Sequence, residues 1–133
     1  MVVCVMGTTD SVASIMKRLS EIDKLLVIFE DGADASLAET VPDNIQVIAG
    51  GDDEKLLKRL SKRKISVITC GGAKDSISYT SNSEDDIVVS VQREIESHNG
   101  KKNEPFEVPL QKLTGESEYS AMAYVAVKTL MGK

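Results

Sequence analysis

The chain has 133 residues and a formal net charge of −5, with 41% hydrophobic and 28% charged residues. These values are typical of one globular domain that buries its own core, and they exclude a largely disordered chain. The negative charge disfavours nonspecific nucleic-acid binding, which needs Lys and Arg to displace counterions from phosphates. No segment approaches the roughly 20 apolar residues of a membrane helix, so we expect no membrane partner.

The cysteines and the N-terminus indicate the compartment. The apolar run Val2–Met6 is short and has no basic segment before it, so it predicts no secretion signal. Cys4 and Cys70 are too few for a disulfide framework, and the sequence therefore predicts a cytoplasmic protein. We interpret both as buried small side chains. A redox pair would require their strands to be adjacent.

Apolar segments alternate with helix-like segments over the first 72 residues, beginning with the continuous apolar run Val2–Met6. Such runs are typical of parallel strands that are covered on both faces. The predicted strands are Val2–Met6, Leu25–Phe29, Ile45–Ala49 and Ile65–Thr69.

Helices are predicted in the three connections between these strands. The first helix is predicted from Val12 to Ile22, where apolar residues recur at three- and four-residue spacing. The second is a short helix over residues 33–41. In the third helix, the buried stripe consists of Leu56, Leu57 and Leu60. The candidate caps are Asp10, Ser11, Asp52 and Asp53. This rhythm predicts an α/β fold, a three-layer, doubly wound and mostly parallel sheet of the Rossmann-like type.

The second half of the chain has a different pattern. Extended segments are predicted over residues 86–95 and Phe106–Leu110, and Asn99-Gly100 between them is a strong hairpin signal. We expect an antiparallel hairpin added to the sheet, followed by a helix from about Glu116 to Met131. All these elements together predict a single domain over residues 1–133.

Candidate binding residues follow the ends of the predicted strands. Ligands of open parallel sheets bind beyond the carboxyl ends of the strands, where helix N-termini also present free N–H groups. Taken singly, such glycines and aspartates are more often turn and cap residues. Lys74 is the cation beside these loops and the preferred contact for an anion. The candidates are Gly7, Thr8, Thr9, Asp10, Ser11, Asp31, Gly50, Gly51, Asp52, Gly71, Gly72 and Lys74.

The first of these loops, residues 7–11, occupies the position of a phosphate loop but does not match one. A phosphate loop needs a lysine followed by Ser or Thr, where this chain has Ser11-Val12. A dinucleotide fingerprint needs three glycines, and this loop has only Gly7. Asp10 adds a negative charge where a phosphate would approach. The sequence therefore predicts no strong ATP binding at this loop and no cofactor.

Four segments resemble, in the correct order, landmarks of the Mur ligase central domain. Residues 3–12 resemble its first strand and ATP loop, V-T-G-T-N-G-K-T-T, and Ile48–Asp53 is similar to its N-x-D-D-x element. Val67–Gly71 is similar to its V-I-T-[YF]-G strand, which leads into an antiparallel segment. Val108–Gly115 and the helix at Ala121–Val127 resemble its V-P-L-x-G-x-H-N-x-x-N-A-x-A-A stretch.

The resemblance implies an ATP-binding domain from enzymes that join amino acids to a carboxylate through an acyl phosphate. The chain departs from that family where the catalytic groups would be. Asp10 and Ser11 replace the Gly and Lys of the ATP loop, and Ser117 and Glu118 replace the His-Asn pair. The long insert with the magnesium-binding Glu and His is also missing. The resemblance thus implies a pseudoenzyme rather than a working ligase.

Other chemistry-bearing residues give weaker signals. His98 is the single histidine and falls in the predicted hairpin turn, so we expect no histidine-based triad. No Cys or His spacing indicates a bound zinc ion. A basic segment on and after the third helix is more often a solvated face than a surface for an acidic partner. Its members are Lys55, Lys58, Arg59, Lys62, Arg63 and Lys64.

These features favour a noncatalytic Mur-ligase-like domain that binds a partner protein or an acidic small ligand. One alternative is a small nucleotide- or dinucleotide-binding regulatory domain, in which Asp31 would meet a ribose. The other is an enzyme that uses the strand-end carboxylates Asp31, Asp52 and Asp53 with a metal ion. Self-association into a homo-oligomer stays open.

Overall fold

A computed structural model describes residues 2–6 and 25–132 of the chain, and they form an α/β structure. The strands are β1 (Val2–Met6), β2 (Leu25–Phe29), β3 (Gln46–Gly50), β4 (Ser66–Cys70), β5 (Ile77–Asn82), β6 (Asp86–Val91), β7 (Ile95–Glu96), β8 (Lys102–Asn103) and β9 (Phe106–Gln111). The helices are a 3₁₀ helix (Ala35–Thr40), α1 (Glu54–Leu60) and α2 (Glu118–Leu130). The predicted helix over residues 12–22 lies outside the described residues. The chain comprises two compact units, residues 1–68 and 69–133, and the boundary falls within β4.

In the N-terminal unit the strands lie in chain order, β1-β2-β3-β4. β1 pairs with β2, and β2 with β3, in parallel, so that Val27 lies between Cys4 and Val47. This sequential order differs from the doubly wound order that the sequence predicted, which reverses at a switch point. The 3₁₀ helix and α1, which form two successive connections, pack against each other.

Strands β2 and β3 are buried on both faces, as their largely apolar sequences predicted. One face belongs to a core that it shares with the 3₁₀ helix and α1. The members of this core are Val27, Phe29, Ala33, Leu37, Ala38, Val41, Val47, Ala49, Leu56 and Leu60. Leu26 and Ile48 alternate with these residues along the strands and therefore point to the opposite face. Both are 0% exposed, so the opposite face is covered as well.

The predicted short helix over residues 33–41 is confirmed, and it is of the 3₁₀ type. It begins at Asp34, whose carboxylate accepts hydrogen bonds from the Ser36 backbone N–H at 2.9 Å and from its hydroxyl at 2.8 Å. These bonds, the backbone one first, hold the pKa of Asp34 below its ordinary value. The helix ends at Val41, whose extended backbone (ψ 135°) is the conformation that the following Pro42 favours.

Helix α1 buries Leu56 and Leu60, as predicted, while Leu57 is only partly buried. Asp53 occupies the N-cap position, as the prediction that Asp52 or Asp53 caps this helix allows, but its side chain makes no capping hydrogen bond. The chain enters the helix through a tight backbone turn instead, in which the Glu54 N–H donates to the Asp52 carbonyl at 3.0 Å.

The C-terminal unit is mainly antiparallel. The end of β4 pairs in parallel with β5 at Cys70 and Ile77, and β6 then pairs antiparallel with both β5 and β9. The predicted pairing of the segments that flank the Asn-Gly turn is confirmed by β6 and β9. Strand β5 was not predicted. The turn itself belongs to a separate two-stranded sheet, β7 and β8.

The hairpin turn between β7 and β8 requires glycine. The Ser97 N–H donates to the Lys101 carbonyl at 2.8 Å, and the Gly100 N–H donates to the Ser97 carbonyl at 2.9 Å. Gly100 has φ +87°, the left-handed conformation that closes a three-residue hairpin loop. The turn also meets the last helix, because the His98 N–H donates to the Leu130 carbonyl at 2.8 Å.

Helix α2 confirms the predicted C-terminal helix and packs on β5, β6 and β7. The Ser117 hydroxyl caps it by accepting from the Ser120 N–H at 3.1 Å. Its buried residues are Ala121, Met122, Ala123, Val125, Ala126, Thr129 and Leu130. Within the described part of the chain, no helix has both the length and the apolar character needed to cross a membrane.

Candidate functional site

Among the predicted binding loops that lie in the described residues, the loop between β4 and β5, residues 71–76, is held by the most side-chain hydrogen bonds, and we call it the β4–β5 loop. Asp75 is 4% exposed. Its carboxylate accepts from the Gly72 N–H at 2.8 Å, and its own N–H donates to the Gly72 carbonyl at 3.0 Å. At the end of the loop, the Ser76 N–H donates to the Thr69 hydroxyl at 3.2 Å. Asp75 is thus a buried acceptor that holds the turn of the loop.

Gln92, directly after β6, satisfies the carbonyl groups of the same loop. Its side-chain amide donates to the Asp75 carbonyl at 2.7 Å and lies 3.3 and 3.4 Å from the carbonyls of Gly72 and Ala73. Its backbone N–H donates to the Ser76 carbonyl at 2.8 Å. The backbone of the loop is therefore held by the carboxylate of Asp75, within the loop, and by the side-chain amide of Gln92, outside it.

Arg93 brings a second cation to the loop. Its Nη2 donates to the Lys74 carbonyl at 2.7 Å, and the side chains of both residues are exposed. The sequence identified Lys74 but missed Arg93 and Gln92, because they lie about 20 residues further along the chain. The register of β5 and β6, with Ile77 opposite Val91, is what returns them to the loop.

Cys70 lies at the end of β4, beside the loop, as a buried free thiol. Burial, and secondly the negative charge of Asp75, raise the pKa of the Cys70 thiol to about 12. At neutral pH it therefore stays protonated, which is not the reactive form of a cysteine. Strands β2 and β3 lie between β1, which carries Cys4, and β4. The adjacency that a redox pair would require is thus not met.

The loop after β2 is a compact turn. The Ala33 N–H donates to the Glu30 carbonyl at 3.1 Å, and Gly32 has φ +76°. Asp31, a predicted site residue, is exposed in this turn. Asp31 is thus a turn residue, which is the more frequent role of an aspartate after a strand.

The loop after β3 has the same character. The Asp53 N–H donates to the Gly50 carbonyl at 3.2 Å, so the predicted residues Gly50, Gly51 and Asp52 form the turn that leads into α1. Gly51 is buried and Asp52 is exposed.

The carboxylates of these two loops do not assemble a metal site. In residues 2–6 and 25–132, no group of three or more His, Cys, Asp and Glu side chains is placed to hold a metal ion. Asp31, Asp52 and Asp53 therefore do not form such a group. The predicted candidates Gly7, Thr8, Thr9, Asp10 and Ser11 lie outside the described residues.

The basic segment at α1 divides into two kinds of cation. Arg63 donates to the carbonyls of Ala38 at 2.6 Å and Val41 at 2.5 Å, and it pairs with Asp43 at 2.8 Å. The lysines of the segment, Lys55, Lys58, Lys62 and Lys64, are exposed. Arg63 thus anchors the 3₁₀ helix, while the lysines and the exposed Arg59 form the solvated face that was the preferred interpretation.

Among the described residues, the β4–β5 loop is the place where predicted site residues and unpredicted side chains come together. It unites Gly71, Gly72 and Lys74 with Asp75, Gln92 and Arg93. Comparison of the chain with protein-family models, with curated proteins and with solved structures returns no match.

Proposed function

We propose that the chain is a noncatalytic, Mur-ligase-like domain of the cytoplasm that binds an acidic small ligand or a partner protein through the β4–β5 loop. One observation carries this proposal. The groups of the loop region that could perform chemistry, the Cys70 thiol and the Asp75 carboxylate, are buried and serve the structure. The exposed groups are the cations Lys74 and Arg93, which attract anions but do not activate a nucleophile.

The order of elements in the C-terminal unit supports the resemblance. The segment Val67–Gly71 covers most of β4 and the first residue of the β4–β5 loop, and an antiparallel segment follows it, as in the pattern that it resembles. Val108–Leu110 lies in β9, and the alanine-rich segment lies in α2. Ser117 and Glu118, which stand in place of the family's His-Asn pair, begin this helix as its cap and first residue.

A three-layer, Rossmann-like arrangement is part of the proposal. The complete burial of Leu26 and Ile48 supports it, because these side chains lie on the face of β2 and β3 opposite the 3₁₀ helix and α1. A sheet covered on both faces is the property that such an arrangement requires.

Titration of the purified protein with ATP and magnesium, followed by calorimetry and by release of inorganic phosphate, tests the proposal. We expect weak or absent ATP hydrolysis. Magnesium-dependent turnover that disappears in Asp10→Ala or Lys74→Ala would overturn it, because a pseudoenzyme has no turnover for these substitutions to remove.

A further inference from the structure

The tip of the β4–β5 loop offers backbone donors as well as cations. Gly72 and Asp75 are hydrogen-bonded to each other in both directions. The side chains of Gln92 and Arg93 donate hydrogen bonds to carbonyl groups of the loop. The N–H groups of Ala73 and Lys74 donate to no other residue that the structure describes. Both residues are exposed. Successive free N–H groups in a turn form the kind of concavity that binds anions.

Arg93 has most of its hydrogen-bonding capacity left. A guanidinium carries five N–H donors in a fixed fork, and the contact with the Lys74 carbonyl engages Nη2 alone among the described groups. This contact also holds the guanidinium beside the loop that carries the Ala73 and Lys74 amides. A planar fork of this kind matches a carboxylate or a phosphate.

The loop is organised before any ligand arrives. The hydrogen bonds of Asp75 and Gln92 hold the backbone from Gly72 to Ser76, so that binding does not have to order it. Prior ordering of this kind raises affinity, because the conformational entropy of the loop does not fall further when the ligand binds.

We propose that Lys74, Arg93 and the N–H groups of Ala73 and Lys74 form a binding site for an oxyanion, the carboxylate or phosphate group of a small molecule. The proposal rests on the binding function proposed above and specifies its ligand. The Asp75 carboxylate is turned to Gly72 and keeps the loop in shape. Glu94 is exposed and follows Arg93 in the chain, so we expect neutralisation of its negative charge to strengthen anion binding.

The test is a titration of the full chain with inorganic phosphate and, separately, with succinate, at constant ionic strength set by sodium chloride. Calorimetry gives the affinity, and the amide resonances of Ala73 and Lys74 give the location. We expect saturable binding that Lys74→Ala weakens at least about tenfold and Glu94→Gln strengthens. The Lys74 side chain is exposed, so this substitution leaves the fold intact. Arg93→Lys keeps the charge but loses the fork, and it weakens binding too.

Lys101→Ala is the matched control, because it removes an exposed lysine of the same unit that belongs to the β7–β8 turn rather than to the β4–β5 loop. It should bind as the parent chain does. Binding of phosphate alone, or of succinate alone, supports the site and identifies its anion. No saturable binding of either, or equal losses in Lys74→Ala and Lys101→Ala, would overturn it. If neither anion binds and ATP is not hydrolysed, the oxyanion site is disproved, but the proposed binding of a partner protein is not. If ATP is hydrolysed, the proposed noncatalytic function itself is disproved.

Discussion

Cys70 shows how a single buried side chain links stability to pH. The thiol of an unfolded chain has a pKa near 9.0, whereas burial and the neighbouring Asp75 raise the pKa to about 12 in the folded protein. Below pH 9 both states are protonated, and the contribution of this group to stability is fully present. Between pH 9 and about pH 12 the folded state binds more protons than the unfolded state, so the free energy of unfolding falls as pH rises.

We therefore expect the free energy of unfolding to decrease by up to about 1.4 kcal/mol per pH unit above pH 9 on account of Cys70 alone. Urea unfolding of the parent chain and of Cys70→Ala, from about pH 8 to about pH 10.5, measures the difference. Other titrating groups are present in both proteins and cancel. Parallel pH profiles for the two proteins would contradict this prediction.

The sequence predicted the elements that are marked by their own residues, and it missed those that form only by pairing with another segment of the chain. β2 consists of unbroken apolar residues, β3 is apolar after Gln46, and Asn99-Gly100 is a dipeptide that favours a hairpin turn. β5 buries only Ile77 and exposes most of its remaining residues, so no alternation marks it as a strand. It exists because β6 pairs with it.

The same limit applied to the candidate site. Lys74 follows a strand and could be identified from its position alone. Gln92 and Arg93 could not, since their role depends on a register between strands that are distant in sequence. Asp53 shows the converse case, because its type and position predicted a side-chain cap that the backbone turn replaces.

Arg63 is the side chain that fastens the end of the 3₁₀ helix. It donates to two carbonyls and to Asp43, and its side chain is only 24% exposed. Arg63→Lys keeps the charge but cannot reach these acceptors with one ammonium group. We expect a loss of about 1–3 kcal/mol in the free energy of unfolding, measured in urea.

Arg59→Lys provides the comparison for this prediction. Arg59 pairs with Glu39 at 3.4 Å, but both side chains are about half exposed, at 46% and 59%. An exposed pair of this kind contributes little, so the change should stay within about 0.5 kcal/mol. Equal losses for the two substitutions would show that Arg63 acts through its charge rather than through its hydrogen bonds.

At the scale of the whole molecule, β9 ends the order of strands in the C-terminal unit. A terminal strand presents unpaired backbone groups to other chains. Pro109 lies in the middle of β9, opposite Val88, and is exposed. Because proline has no N–H, it is tolerated where that position faces away from the neighbouring strand, and it leaves the outer edge without one donor.

Pro109→Val should therefore make the chain associate through β9. Valine restores the donor and favours strand structure. Sedimentation velocity over a series of concentrations should show dimers or larger species at concentrations where the parent chain shows fewer. Pro105→Val is the control, because Pro105 is exposed just before the strand begins. If Pro109→Val sediments as the parent does throughout the series, the proline does not protect this edge.

During synthesis, the N-terminal unit can assemble in the order in which it leaves the ribosome. β2, β3 and β4 each lie beside the strand that emerged just before them. In a sheet whose order reverses, an early strand edge stays open until a distant segment has been made. Closing short loops costs less entropy than closing long ones, and open edges recruit other chains. Each strand of this unit therefore acquires its next neighbour early, while the rest of the chain is still being made.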